Sequence, residues 1–274
     1  DYKLLHENEN IKNVLIVPNI VPQTERKPGI RKPILVFIGN YSWAPNPDAV
    51  IWFVNEIWPI IRNKIKEAEF QIIGSEPTED VLALDTVPGV HVLGYVPDTK
   101  PYLENAAVSV APLRFGGGMK GKVNEAMSYG IPVVSTKFGA QGFKAENGKH
   151  MFISDKPQEF ADAVIKLLAD HSLQEKVGIA GQKLNASICS PEAIQKRINN
   201  LIGITNKYIA KDEKSANYNE VNHIIRFEKQ ENPTASIIIP VYNQWSYTMR
   251  CLDSIKQKAG KTSYEVILMD DNST

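Results

Sequence analysis

Ala111-Pro-Leu-Arg-Phe-Gly-Gly-Gly-Met-Lys-Gly-Lys-Val-Asn-Glu-Ala-Met-Ser-Tyr-Gly-Ile-Pro-Val-Val-Ser-Thr136 reads as the end of one strand, a glycine-rich loop, a helix and the next strand. The apolar run Val108 to Ala111 is short enough for a buried strand, and Pro132 to Ser135 is another. Between them the helical pattern runs from the lysines to about Tyr129. A strand, a crossover helix and a second buried strand make a βαβ unit, and such units build parallel sheets covered on both faces.

The same texture extends outward in both directions. Ile34 to Ile38, Phe70 to Ile73 and Val90 to Leu93 are apolar runs closed by Gly39, Gly74 and Gly94. Pro47-Asp48 is expected to open a helix reaching about Lys66, with Val50, Phe53, Val54, Ile57 and Ile61 on one stripe. Phe160 to Ala169, Gln174 to Leu184 and a segment opened by Pro191-Glu192 read as closing helices. Five parallel strands are thus expected in this part. The charged stretch from Lys211 to Pro233 reads as a linker. A new unit follows it, with a strand at Ser236 to Val241, a helix at Tyr247 to Lys258 and a strand at Glu265 to Met269.

Composition narrows the function. The 274 residues carry 31 basic and 31 acidic side chains, so no basic excess marks a nucleic-acid binder. The longest apolar runs fall far short of the ~18–20 residues of a membrane span. Two cysteines, Cys189 and Cys251, are too few for a disulfide framework and form no ligand-spaced cluster, so no metal site is expected. A cytoplasmic setting follows as the expectation, with peripheral membrane association of a longer protein left open. The chain starts at Asp1 and stops at Asn272-Ser273-Thr274, just after a strand-like run, so a piece of a longer protein is expected.

In an open parallel sheet, ligands bind beyond the carboxyl ends of the strands. Gly116, Gly117 and Gly118 remove Cβ atoms there, and the following helix N-terminus adds amide donors and a positive dipole end. Those features favour an anion, and Lys120 and Lys122 add positive charge. Lys122 and Glu125 are three apart and share a helix face. A cation for phosphate and a carboxylate for hydroxyls, one turn apart, suit a nucleotide. A plain flexible turn and an exposed Lys122–Glu125 ion pair fit the same spacing. No G-K-[ST] follows, so this is not a Walker loop.

The stretch from Pro112 to Thr136 resembles the donor-binding signature of group 1 (family 4) glycosyltransferases, retaining enzymes of GT-B fold. Pro18-Asn19, Phe37-Ile-Gly-Asn-Tyr41, Pro45-Asn-Pro-Asp-Ala49 and Gly94-Tyr-Val-Pro-Asp98 fall at family-like places and in family order. The resemblance implies an α/β, Rossmann-like parallel sheet flanked by helices, the C-terminal half of a GT-B enzyme, over residues 33–208. Residues 1–32 would be hinge and linker, and 209–234 a charged linker. By the resemblance, Glu125 holds ribose hydroxyls. Gly118, Met119 and Lys120 meet the donor sugar, and Gly121 and Lys122 meet the diphosphate. Tyr95 and Val96 read the base, and Gly39 lies beside the phosphates. Gly117 stands where the family's first glutamate falls. The usual cations after the first strand are absent from Asn40 to Ala44, and Lys122 with Arg114 would replace them. The donor would be a nucleotide diphosphate sugar and the acceptor a glycan or lipid-linked hydroxyl. Hexosyl transfer would proceed with retention and without a metal, and acceptor-side catalytic residues would lie in the N-terminal half.

Ala235 to Asn243, Cys251 to Ile255 and Tyr264 to Thr274 resemble the opening of a family 2 glycosyltransferase of GT-A fold. That resemblance implies an incomplete βαβ over 235–274, with Pro240, Tyr242 and Asp271 at the nucleotide. A divalent metal would belong only to the complete second domain. Two transferase units suggest successive steps of surface-glycan assembly. A GT-B-fold sugar-nucleotide epimerase and a non-catalytic nucleotide-sugar-binding scaffold remain as alternatives. A dinucleotide-dependent oxidoreductase would need G-x-G-x-x-G after the first strand, and Gly39-Asn-Tyr-Ser42 does not supply it.

Overall fold

Ile34–Ile38 forms β1, and its alternating side chains enter two different cores in the computed structural model, which describes residues 18–25, 29, 31–201, 235–241, 245–258 and 264–270. The other strands of its sheet are β2 (Glu69–Ile73), β3 (Val90–Gly94), β4 (Val108–Ala111), β5 (Val133–Ser135) and β6 (Phe152–Ile153). All pair in parallel, in the order β3-β2-β1-β4-β5-β6. Leu35 and Phe37 pack on one face with Phe53, Trp58, Phe70 and Phe160. Val36 packs on the other with Ile73, Val123, Met127 and Phe143. Burial on both faces explains why the central strands β1, β4 and β5 read as short, mostly apolar runs.

The sheet has six strands where five were expected, because β6 spans only two residues and leaves no period to read. The first helical segment begins at Pro45 rather than Pro47. It comprises α1 (Pro45–Trp52), a π-helical turn over Phe53–Ile57, and α2 (Trp58–Lys64). Pro59 has no N–H to offer the carbonyl four residues back. The chain answers by widening the turn, and the Trp58 amide donates to the Phe53 carbonyl.

The helices that follow are α3 (Glu79–Ala83), α4 (Lys100–Asn105), α5 (Gly121–Ser128), α6 (Pro157–Ala169), α7 (His171–Cys189) and α8 (Pro191–Leu201). Helix α5 ends in a left-handed residue, Gly130, at φ +65°. The amides of Gly130 and Ile131 donate to the carbonyls of Met127 and Ala126, which closes the helix and turns the chain into β5. Asn185 of α7 donates to the Asn124 carbonyl of α5 at 3.1 Å, so the two helices are fixed by buried amides. Thr24 and Gln23, in a stretch expected as linker, are fastened there too. The Thr24 amide donates to the Ser128 carbonyl at 3.2 Å, and Gln23 donates to Asn185 at 2.8 Å.

The chain divides into two units, one spanning Val21–Ile188 and the other holding the C-terminal elements. Helix α8 groups with the second unit, whereas the sequence placed it at the close of the first domain. In the second unit β7 (Ala235–Val241) and β8 (Tyr264–Asp270) pair in parallel around α9 (Trp245–Lys258). Ile237, Ile239, Met249, Leu252 and Ile255 are among its buried side chains, the last three at helical spacing. Among the described residues no helix is long and apolar enough to cross a membrane.

Candidate nucleotide-sugar site

Strand β1 lies between β2 and β4, so the chain leaves it toward one side and reaches β4 on the other. That is the switch point of an open parallel sheet, and the crevice lies between the loops after β1 and β4. Its floor is made of strand ends. The Gly39 amide donates to Ile73 at 2.9 Å, and the Gly74 amide to Gly94 at 2.8 Å. A Cβ on Gly74 would stand 1.6 Å from the Gly39 carbonyl oxygen, and one on Gly39 would stand 2.7 Å from Asn46 Nδ2. Only glycine lets these ends and the Asn46 side chain close up.

The loop after β4 is held from two sides. Thr136 at the end of β5 donates its hydroxyl to the Leu113 carbonyl and accepts from the Gly139 amide at 3.2 Å. Lys120 folds back on its own loop. Its buried ammonium donates to the carbonyls of Gly116 (3.1 Å), Gly117 and Gly118 (3.0 Å). Burial pushes the Lys120 ammonium below the usual lysine range. The loop is thus a carbonyl cage around one cation. Gly117 and Gly118 are exposed, and a Cβ on Gly117 would meet nothing within 4 Å. The backbone therefore has room for the carboxylate that the family pattern places at 117. Met119 turns inward to the second core, with its Cβ 3.3 Å from where a Cβ on Gly142 would sit.

Helix α5 starts immediately afterwards, with Lys120 as its N-cap in extended conformation and no side-chain cap. Gly121 and Lys122 occupy the first turn, where amides lack partners within the helix. Lys122 reaches across the switch point. Its Nζ lies 4.4 Å from the centre of the Phe37 ring in β1 and 5.9 Å from that of Trp43, and it donates to Asn46 Oδ1 in α1. Burial, and secondarily the charge of Lys120, pushes the Lys122 ammonium down to about 7.

Glu125 lies one turn further along α5. Its Oε1 accepts from the Thr99 hydroxyl at 2.8 Å. Burial raises its carboxyl above the usual range, and the Thr99 bond partly opposes that rise. The exposed Lys122–Glu125 ion pair does not form, since each side chain has its own partner. Thr99 belongs to the loop after β3, which also carries Tyr95 and Val96. Tyr95 is largely exposed, and Val96 packs on the second core.

Arg114 goes elsewhere. Its guanidinium makes a forked pair with Asp48, with Nε to Oδ2 at 2.9 Å, and lies over the Trp52 ring at 5.7 Å. Arg114 thus faces α1 with its charge compensated, unlike the phosphate role expected of it beside Lys122. Pro240 stands in β7 opposite Met269. Tyr242 and Asp271 lie outside the described residues. Among the described residues no three His, Cys, Asp or Glu side chains gather as a metal site.

The sequence reading missed Trp43, Asn46 and Thr99. Asn46 had a visible signal, a polar residue between two prolines at the head of a helix. Thr99 had none, because its partner is 26 residues away.

Residues 32–170, just over half of the chain, match the family described as glycosyl transferases group 1, and residues 236–274 match glycosyl transferase family 2. A capsular polysaccharide biosynthesis glycosyltransferase, CapM, of Staphylococcus aureus is 30% identical over 156 residues, which are 54% of this chain and 40% of that protein. An uncharacterized glycosyltransferase of Methanosarcina acetivorans is 26% identical over 139 residues, 47% of this chain and 35% of the relative. The chain therefore spans between a third and two fifths of the curated relatives it matches. Among solved structures, S. aureus TarM bound to UDP and other ligands aligns with TM-score 0.62 at 20% identity, over 73% of this chain and 41% of that one. Sucrose-phosphate synthase of Thermosynechococcus elongatus aligns with TM-score 0.56 at 17% identity, over 73% and 54%. Fold and family profile agree, and the chain belongs to the group 1 glycosyl transferases.

Proposed function

We propose that the Val21–Ile188 unit binds a nucleotide diphosphate sugar, and that the protein it belongs to transfers the sugar to an acceptor hydroxyl with retention. The observation that carries the proposal is the Lys122 ammonium at the end of β1, beside the uncapped start of α5 and the glycine loop. In the transfer, the bond from the anomeric carbon to the diphosphate breaks, the acceptor oxygen takes that carbon, and the acceptor proton leaves. The developing charge on the diphosphate is the main electrostatic demand. Pre-organised amides and one cation in a poorly solvated crevice meet that demand. Glu125 accepts from ribose hydroxyls through the oxygen that Thr99 leaves open. The first unit needs no metal for this. A divalent metal would serve only a complete family 2 domain, where Pro240, Tyr242 and Asp271 would meet the second nucleotide. TarM was solved with UDP, and CapM is named for capsule biosynthesis. Those names support a uridine donor and a role in surface-glycan assembly, for which the acceptor would be a glycan or lipid-linked hydroxyl.

The test is a thermal melt of this chain with UDP, GDP, ADP and their sugar conjugates, beside a Lys122→Ala, Glu125→Ala double variant. A ligand at 100 times its Kd stabilises by about 2.7 kcal/mol, which a melt resolves. The expected result is a shift with one nucleotide, unchanged by chelator and lost in the variant. No shift with any nucleotide would sink the proposal.

A further inference from the structure

The cation that the loop after β1 lacks is not simply lost. Asn40 to Ala44 contain none, yet an ammonium stands at the end of β1, delivered from α5. Something must hold a flexible four-carbon side chain in that place against repulsion from Lys120. Asn46 is a buried polar side chain in contact with it. Its Oδ1 accepts from Lys122 Nζ, and its Nδ2 donates to the Asn40 carbonyl at 2.6 Å. Its backbone amide donates to the Trp43 carbonyl at 2.9 Å. Gly39 leaves the space that its carboxamide occupies. One amide group thus ties the β1 loop to the α5 lysine across the switch point, with both ends used.

We propose that Asn46 is a positioning residue for diphosphate recognition, holding Lys122 at the end of β1 as the substitute for a loop cation. The inference rests on the reading of Lys122 as the phosphate-binding group. Asn46 suits the task because a carboxamide oxygen orients an ammonium without neutralising it. A carboxylate there would compete with the phosphate, and an apolar group would release the lysine toward solvent. The Phe37 and Trp43 rings give the ammonium a favourable bed but no direction, so the Asn46 oxygen sets where it points.

The test compares nucleoside mono- and diphosphates by titration calorimetry, using UMP and UDP, GMP and GDP, and AMP and ADP. Wild type is expected to bind one diphosphate roughly 10–100-fold more tightly than its monophosphate, the range of one or two charge-assisted bonds. Lys122→Met should collapse that ratio to within a few-fold. Asn46→Ala should collapse it similarly while leaving monophosphate affinity intact, and combining the two should add nothing further. Asn46→Asp keeps the size and an acceptor, and should also lose the second-phosphate advantage, because its carboxylate neutralises the ammonium. It covers the case in which Asn46→Ala does not fold. A merely structural Asn46 would weaken both nucleotides equally, and that result overturns the inference. So does an unchanged ratio in Asn46→Ala when Lys122→Met has lost it. An unchanged ratio in Lys122→Met overturns instead the reading of Lys122 itself, and Asn46 falls with it.

Discussion

Two loops border the crevice, and each does the opposite of what its composition suggests. The loop after β1 has no cation of its own but receives one at its base. The loop after β4 is the cation-rich one, yet Arg114 is paired with Asp48 and Lys120 is wrapped in its own carbonyls. Lys120 and Lys122 are two residues apart and serve different loops. The reason is backbone geometry. Lys120 is the extended N-cap, so its side chain turns back on the loop, while Lys122 is already helical and projects toward β1. Charge at a site follows where the ammonium lands, not which loop encodes it.

The sharpest way to break this comparison is pH. Ligand-free Lys122 sits at about 7. A bound diphosphate raises that value, so affinity should be full below pH 7 and fall as pH rises. The fall reaches at most about tenfold per pH unit, until the bound-state value is passed. Calorimetry across roughly pH 6 to 9 reads that slope, and a flat profile would remove Lys122 from the phosphate site. Stability of the ligand-free chain should move the other way. The folded pKa lies below the unfolded value of ~10.4, so the penalty of the buried ammonium is fully present below pH 7 and fades toward pH ~10.4. Lys122→Met should flatten both curves.

Lys120→Met tests the other half of the contrast. Three carbonyls lose their shared donor, and about 1–2 kcal/mol of unfolding free energy should go with it. Lys122→Met should not show that loss, since its ammonium makes no bond to those carbonyls. A smaller effect is expected at Thr99. In Thr99→Val the Glu125 carboxyl loses the bond that lowers it and rises further. Nucleotide affinity should drop by about 3–10-fold, and a 2′-deoxy analogue should lose less. Equal losses for both ligands would separate Thr99 from ribose binding. Arg114→Ala is the smallest. An exposed ion pair contributes about 0.2–1 kcal/mol, and nucleotide affinity should stay within about twofold. A loss as large as that of Lys122→Met would return Arg114 to the phosphates.

Much of the fold is legible in the chain because the strands are short apolar runs, the central ones buried on both faces. Ile34–Ile38, Glu69–Ile73 and Val90–Gly94 stand where apolar runs closed by glycine place them. The π-helical turn is not legible as such, since Pro59 marks a disturbance without saying how the helix absorbs it. Strand β6 and the docking of Gln23 and Thr24 on α5 and α7 depend on partners far along the chain. At the site, the glycine loop, Lys122 and Glu125 lie within one helix and its entry, and short-range spacing reveals them. Asn46 and Thr99 act on those residues from other elements.

Sequence alone determined the parallel α/β class, the glycine loop that leads into a helix N-terminus and the family, because periodicity, backbone freedom and short motifs are local properties. Tertiary structure decided the strand order that puts the β1 and β4 loops side by side, and with it which lysine faces which loop. It also gave Asn46 to Lys122, Thr99 to Glu125 and Asp48 to Arg114. Hydrogen bonds and desolvation depend on what lies within a few ångströms in space, and separations of 26 to 76 residues along the chain carry no trace of that.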